Sequence, residues 1–147
     1  MKLPAFALFT ILLTAAGSVQ ALDYASVAAD SAILYDAPST KAKKLFVASR
    51  FWPLEQVVSL DAWVKVRDSS GSLAWIEKRA LSDKRMVVVT TTLAAMRQLP
   101  EDNAAVIMQA RQQVALEWLE RTGTGWIKVR HPDGITGYTK ATDVWGD

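Results

Sequence analysis

"AAVIMQARQQVALEWLER" (residues 104–121) is the stretch on which the fold turns. Most of its residues are good helix formers, and Ile107, Ala110, Val114 and Trp118 fall near helical spacing, so local propensity alone predicts a helix. Its surroundings predict otherwise. "WIKVRHPDGITGYT" (126–139) echoes "WVKVRDSSGSLAWI" (63–76) sixty-three positions earlier, with five identities in fourteen and no gap. The identities are Trp63 with Trp126, Lys65 with Lys128, Val66 with Val129, Arg67 with Arg130 and Gly71 with Gly134. Upstream, "AILYDAPST" (32–40) lines up with "AAMRQLPED" (94–102), placing Pro38 opposite Pro100, with one residue separating the two registers. The counterpart of the ambiguous stretch is therefore "LFVASRFWPLEQVVSL" (45–60), where Pro53 and the β-branched Val57 and Val58 disfavour a continuous helix. Repeats share a fold, so both stretches are expected to be paired strands.

Within the echo the chain alternates with period two. Val64 and Val66 fall on one face, and Trp63, Lys65 and Arg67 on the other; Ile127 and Val129 repeat the buried face. "DSSGS" and "HPDGI" supply turn chemistry, since Pro132 pre-sets one backbone angle and Gly71 or Gly134 allows a positive φ, so each pair of runs is expected to close as a hairpin. "RTGTG" (121–125) reads as a further tight turn. About five short strands in each sixty-residue unit favour a small barrel or sandwich over any helical layer. Neither unit has a large core of its own, so the two are expected to dock rather than swing freely.

The N-terminal "MKLPAFALFTILLTAAGSVQA" has one charge, Lys2, an apolar stretch from Ala5 to Ala16 and a small-residue exit at Val19-Gln20-Ala21, the layout of a secretory signal peptide. The polar break at Gly17–Gln20 arrives too early for a membrane-spanning helix, which takes about 20 apolar residues. Cleavage after Ala21 leaves no membrane span and predicts a periplasmic or secreted protein. The expected division is a signal peptide at 1–21, a barrel at 22–81, a linker at 82–86 and a second barrel at 87–147. There is no cysteine, so disulfides, thiolate metal sites and a lipidated cysteine anchor are excluded. Without Lys2 the chain carries 16 basic against 15 acidic residues, a balance that argues against a dedicated nucleic-acid binder. The basic groups "KAKK" (41–44) and "KRALSDKR" (78–85) could attract anionic polymers, but such runs are usually solvated.

Each half resembles the bacterial Src-homology-3-like domain. The resemblance is carried by an extended segment ending in Pro-Ser-Thr or Pro-Glu-Asp, an apolar strand pair, Trp-x-Lys-Val-Arg, a Gly turn, and then Ala74-Trp75-Ile76 or Gly137-Tyr138-Thr139. It spans nearly all of residues 24–145 and implies an all-β fold of two tandem SH3-like small barrels. The likeness departs where the family often has a Gly before its second long strand, since this chain has Pro53 and Gln113, and Tyr35 stands where an Arg such as Arg97 would be usual. Neither Glu77-Lys78-Arg79-Ala80 nor Lys140-Ala141-Thr142-Asp143 offers the Pro and Tyr of polyproline-binding relatives.

What the resemblance implies is a non-catalytic binding module of the cell envelope, recognising peptidoglycan or a wall-associated polymer. The alternative it leaves open is a periplasmic scaffold that binds an envelope protein and has no polymer site. On the first reading Trp63, Trp126, Trp75 and Tyr138 would stack on the ligand, while Lys65, Arg67, Lys128 and Arg130 would hold its anionic groups. On the second, those aromatic faces are consumed by packing. Trp52, Trp118 and Trp145 lie in apolar surroundings where packing is the ordinary explanation. The single histidine, His131, sits in "RHPDG", and a turn-surface position is expected for it. Neither a metal ligand set, a phosphate loop nor a cofactor motif stands out, and an enzymatic role would need a deep pocket holding a carboxylate or His131.

Overall fold

The computed structural model describes residues 22–147; the segment read as a signal peptide, 1–21, lies outside the described residues. Fourteen strands occur among them and no α-helix. The first unit comprises β1 (Tyr24–Val27), β2 (Ser31–Tyr35), β3 (Lys44–Ser49), β4 (Pro53–Ser59), β5 (Trp63–Arg67), β6 (Leu73–Glu77) and β7 (Leu81–Ser82). The second repeats it with β8 (Met86–Val89), β9 (Leu93–Arg97), β10 (Val106–Arg111), β11 (Ala115–Arg121), β12 (Trp126–Arg130), β13 (Thr136–Lys140) and β14 (Val144–Trp145). Each is a seven-stranded antiparallel sheet of identical topology, ordered β3, β2, β6, β5, β4, β1, β7 and β10, β9, β13, β12, β11, β8, β14. A three-residue 3-10 turn precedes the last strand of each, Lys78–Ala80 and Ala141–Asp143. The fold is all-β, with two tandem SH3-like units.

The ambiguous stretch is a strand pair, β10 and β11, broken at Gln112–Gln113. Gln113 adopts φ 68°, a left-handed conformation that ends any helical continuation, and Phe51 at the matching position of the first unit adopts φ 69°. Phe51 and Gln113 are thus repeat partners at this turn. Pro53 is not Gln113's counterpart, as the sequence comparison had it; Pro53 already lies inside β4 and pairs with Ser26. A register slip between Gln56 and Val58 recurs between Trp118 and Glu120, bending β4 and β11 so that each sheet curls over its own core.

The alternation expected in the echo is present: Val64 and Val66, and Ile127 and Val129, are buried, while Lys65, Arg67 and Lys128 are half-buried on the opposite face. The first core gathers Val27, Leu34, Leu54, Val64, Val66 and Ile76, with Trp52 packed against it. The second gathers Val87, Val89, Met96, Leu116, Ile127 and Val129, with Trp118 packed against it. Each fully buried aliphatic side chain contributes about 1.5–3 kcal/mol, so two cores of this size hold the units without disulfides.

β1 and β8 are buried on both faces rather than one, which explains why "YASV" and "MVVV" do not alternate. Val27 and Val89 point into their own cores, and the other faces meet between the units. There the Tyr24 and Trp145 rings stand edge to face at 5.2 Å. The Arg85 guanidinium lies 5.3 Å from the Tyr24 ring and 4.9 Å from that of Trp118, and donates to the Gly146 carbonyl at 2.9 Å. Burial pushes the Tyr24 phenol above its ordinary range, with the Glu55 charge adding to it. The units are docked.

Candidate functional site

Trp63 opens β5 directly after the turn Leu60–Ala62, which is closed by the Leu60 amide donating to the Trp63 carbonyl at 2.8 Å. Strand register sets Glu77 opposite Trp63, and the Lys78 amide donates to the Ala62 carbonyl at 2.9 Å, so the 3-10 turn Lys78–Ala80 starts beside the indole. The facing wall is the loop between β2 and β3. It is braced by its own hydrogen bonds: the Asp36 amide to the Lys43 carbonyl at 3.0 Å, the Lys43 amide to Asp36 Oδ1 at 3.0 Å, and the Ala42 amide to the Ser39 carbonyl at 3.1 Å.

These pieces enclose an open cleft of about 740 Å³, with Trp63 on its floor, Pro38, Ser39 and Thr40 on one side, and Asp61, Glu77, Lys78 and Arg79 on the other. Tyr35 meets the Trp63 ring edge to face at 5.5 Å, fixing its orientation. β2 and β6 pair only through Tyr35 and Trp75. Where they separate, a second depression of about 440 Å³ runs on past Ile33 and Ala80 and shares Glu77 and Arg79 with the first.

The eight residues singled out from sequence fall in two stripes, one on each unit. In the first, Lys65 and Trp75 are register partners, with Lys65 Nζ 6.0 Å from the ring centroid. Arg67 grips Glu55 through both carboxylate oxygens, at 3.0 and 3.2 Å, and Glu55 is buried. In the second stripe, Lys128 lies 5.9 Å from the Tyr138 centroid, and Arg130 pairs with Glu117 at 3.2 Å. All four cations therefore have a partner within the chain. Trp75 and Tyr138 lie on separate units, each beside its own lysine.

Trp126 differs most from its repeat partner. It is buried, 7% exposed, because Lys140 on β13 stands opposite it in register and lays its ammonium 5.6 Å over the ring. Lys140 Nζ also contacts Asp102 Oδ1 at 2.6 Å. This hydrogen bond and the Lys140 charge hold the Asp102 carboxyl below the usual carboxylate range. Glu77 and Thr40 stand at the matching positions of the first unit.

His131 is in the hairpin turn as expected, with Nδ1 accepting the Asp133 amide at 3.1 Å. It is not simply turn surface, however. With Phe51, Lys84 and Arg130 it lines a cleft of about 200 Å³ between the units. Trp145 packs on Tyr24 between the units rather than in either core. Among the described residues, no group of three or more His, Asp or Glu side chains is placed to hold a metal ion. Nor is any helix among them long and apolar enough to cross a membrane.

The bacterial SH3 domain profile matches residues 28–83 and again residues 90–146. The chain belongs to the bacterial SH3 domain family. Both copies are present, and the cleft at Trp63 and the covered Trp126 occupy equivalent places in the two bacterial SH3 domains. No curated protein matches the sequence significantly. Among solved structures, NlpC1 from Trichomonas vaginalis is similar at 14% identity and TM-score 0.40, covering 95% of this chain and 51% of that one. NlpC2 from the same organism is similar at 12% identity and TM-score 0.40, covering 88% and 50%. An NlpC/P60 family protein from Bacillus cereus is similar at 16% identity and TM-score 0.39, covering 82% and 55%. The chain thus spans about half the length of these structures.

Sequence reading missed most of the cleft. Pro38, Thr40, Asp61 and Arg79 lie in loops and a turn, where no periodicity marks them, and only the fold brings them to Trp63.

Proposed function

We propose that the protein is an exported, non-catalytic binding module of the bacterial envelope, and that its first SH3 domain recognises peptidoglycan or a wall-associated polymer at the cleft beside Trp63. The observation that carries this reading is the cleft itself. It is open, floored by an indole fixed by Tyr35, and rimmed by both signs of charge. An aromatic platform with a few convergent polar groups suits a sugar ring or peptide backbone, and its open form suits a polymer that passes through rather than a small substrate that is enclosed. Trp126 is assigned a packing role, because its face is already occupied by Lys140. Lys65, Arg67, Lys128 and Arg130 serve the unit surfaces through their intrachain partners. Periplasmic or extracellular location follows from the same proposal, as does the absence of a catalytic step.

Co-sedimentation with purified sacculi at physiological salt tests the reading. The protein is expected in the pellet, and Trp63→Ala is expected to leave it in the supernatant while still folding cooperatively, its melting temperature lowered only by loss of the Tyr35 contact. If Trp63→Ala lowers stability and leaves retention as before, Trp63 is a packing residue and a scaffold role without a polymer site takes the place of this one.

A further inference from the structure

The two units pose the same question with different side chains, and the second contains its own answer. At the Trp126 position the chain supplies an ammonium group, Lys140 Nζ, 5.6 Å over the ring and 2.6 Å from the Asp102 carboxylate. An aromatic face with a carboxylate beside it is a recognised setting for an ammonium, because the ring's negative face and the anion attract it together. In the first unit the lysine is replaced by Glu77, so no ammonium of the chain fills the place above Trp63 and a carboxylate has been added instead. Asp61 brings a second carboxylate to the rim, and among the described residues it takes part in no ion pair. Glu77 itself is bonded to Arg79, whose side chain is otherwise exposed.

We infer that the cleft of the first unit takes from its ligand the primary ammonium group that Lys140 supplies in the second. The ligand is then an amine-bearing peptide, with the ammonium seated on Trp63 between Asp61 and Glu77, rather than a neutral glycan. This rests on the proposed wall reading only in placing that peptide on a wall polymer; the chemistry at Trp63 is independent of it. Lys78 and Arg79, on the same rim, suit a carboxylate elsewhere on such a peptide.

The test uses the end-blocked tripeptide Ala-Lys-Ala, the same peptide acetylated on its lysine, and sacculi before and after acetylation of their free amines. Acetylation removes the charge and leaves the stem of the side chain in place. Titration of the protein is expected to shift the Trp63 indole N–H resonance with the free-amine peptide and to require roughly tenfold more of the acetylated one. The double variant Thr40→Asp, Glu77→Lys copies the second unit's own arrangement and is expected to fold with its Trp63 covered and the response lost. Asp61→Asn, which alters only a rim side chain, is expected to weaken binding without closing the cleft. Equal response to the two peptides, or full response in the double variant, overturns the inference. Retention by native and acetylated sacculi alike overturns the inference and leaves the wall reading standing. Discrimination between the peptides with no retention on either sacculus preparation supports the ammonium site and removes the wall reading.

Discussion

Replacing Arg85 by Ala removes one of the groups that join the two units, beside the Tyr24–Trp145 ring pair. Its guanidinium lies between the Tyr24 ring, at 5.3 Å, and the Trp118 ring, at 4.9 Å, and donates to the Gly146 carbonyl at 2.9 Å. Two partly desolvated cation–aromatic contacts contribute about 1–2 kcal/mol each, and a hydrogen bond from a charged donor about 1.5–3. Against this, Arg85 Nε is buried with no acceptor, which costs about 1–3 kcal/mol. The net loss on truncation is about 3 kcal/mol, of which the Tyr24 contact, about 1–2 kcal/mol, is the part that crosses between the units. Differential scanning calorimetry reads it directly. The wild-type protein is expected to unfold in one transition with equal calorimetric and van't Hoff enthalpies, and Arg85→Ala to melt several degrees lower with a calorimetric enthalpy exceeding the van't Hoff value. Arg85→Lys, which keeps the charge and loses the planar fork, is expected to fall between them. An unchanged midpoint and an unchanged enthalpy ratio in Arg85→Ala would refute the argument that this residue couples the two units.

Three further outcomes follow from individual positions. Thr139 is fully buried with its hydroxyl unpaired, where the first unit has the fully buried Ile76, so Thr139→Val is expected to stabilise the protein by about 1 kcal/mol in urea denaturation. No gain would place an acceptor near that hydroxyl. Gly137→Ala brings a Cβ to 2.9 Å from both the Arg97 carbonyl oxygen and Ile107 Cδ1, and is expected to cost about 1–3 kcal/mol, although Ala74 fills the matching place in the first unit. The Asp102 carboxyl titrates below its ordinary range because of Lys140, so its attraction for Lys140 is complete above the unfolded-state value and fades as pH falls through the depressed folded-state one. The Trp126 indole N–H resonance, followed by NMR against pH in the intact protein, is expected to shift on acidification through that range; a flat response would mean that Lys140 covers the ring without Asp102.

The strand assignment of 104–121 could be read from sequence only through the repeat. Helix propensity is a local quantity, and what overrides it is a single left-handed residue, Gln113, together with pairing to β8, β9 and β12. The buried face of the echo was legible because period-two alternation reports which side of a strand meets the core. The same alternation could not separate Trp63 from Trp126. They share a strand position, and the difference between an open and a covered indole lies in cross-strand neighbours sixty-three residues apart in register, Glu77 and Lys140. His131 was readable as a turn residue, but its position facing Phe51 depends on how the units dock, which no local pattern encodes. The cleft walls at Pro38–Thr40 and Asp61 were hidden for the same reason: loops carry no periodicity, and their meeting is a property of the folded sheet.

Oxidative footprinting of the tryptophans, read by mass spectrometry on free protein and on protein bound to sacculi, puts the most direct question to the claim that the first domain alone presents a working aromatic surface. Trp63 should react in the free protein and be shielded in the bound one, while Trp126 stays unreactive in both. A bound protein whose Trp63 reacts as fast as in the free state, or one in which Trp126 gains protection instead, would contradict it.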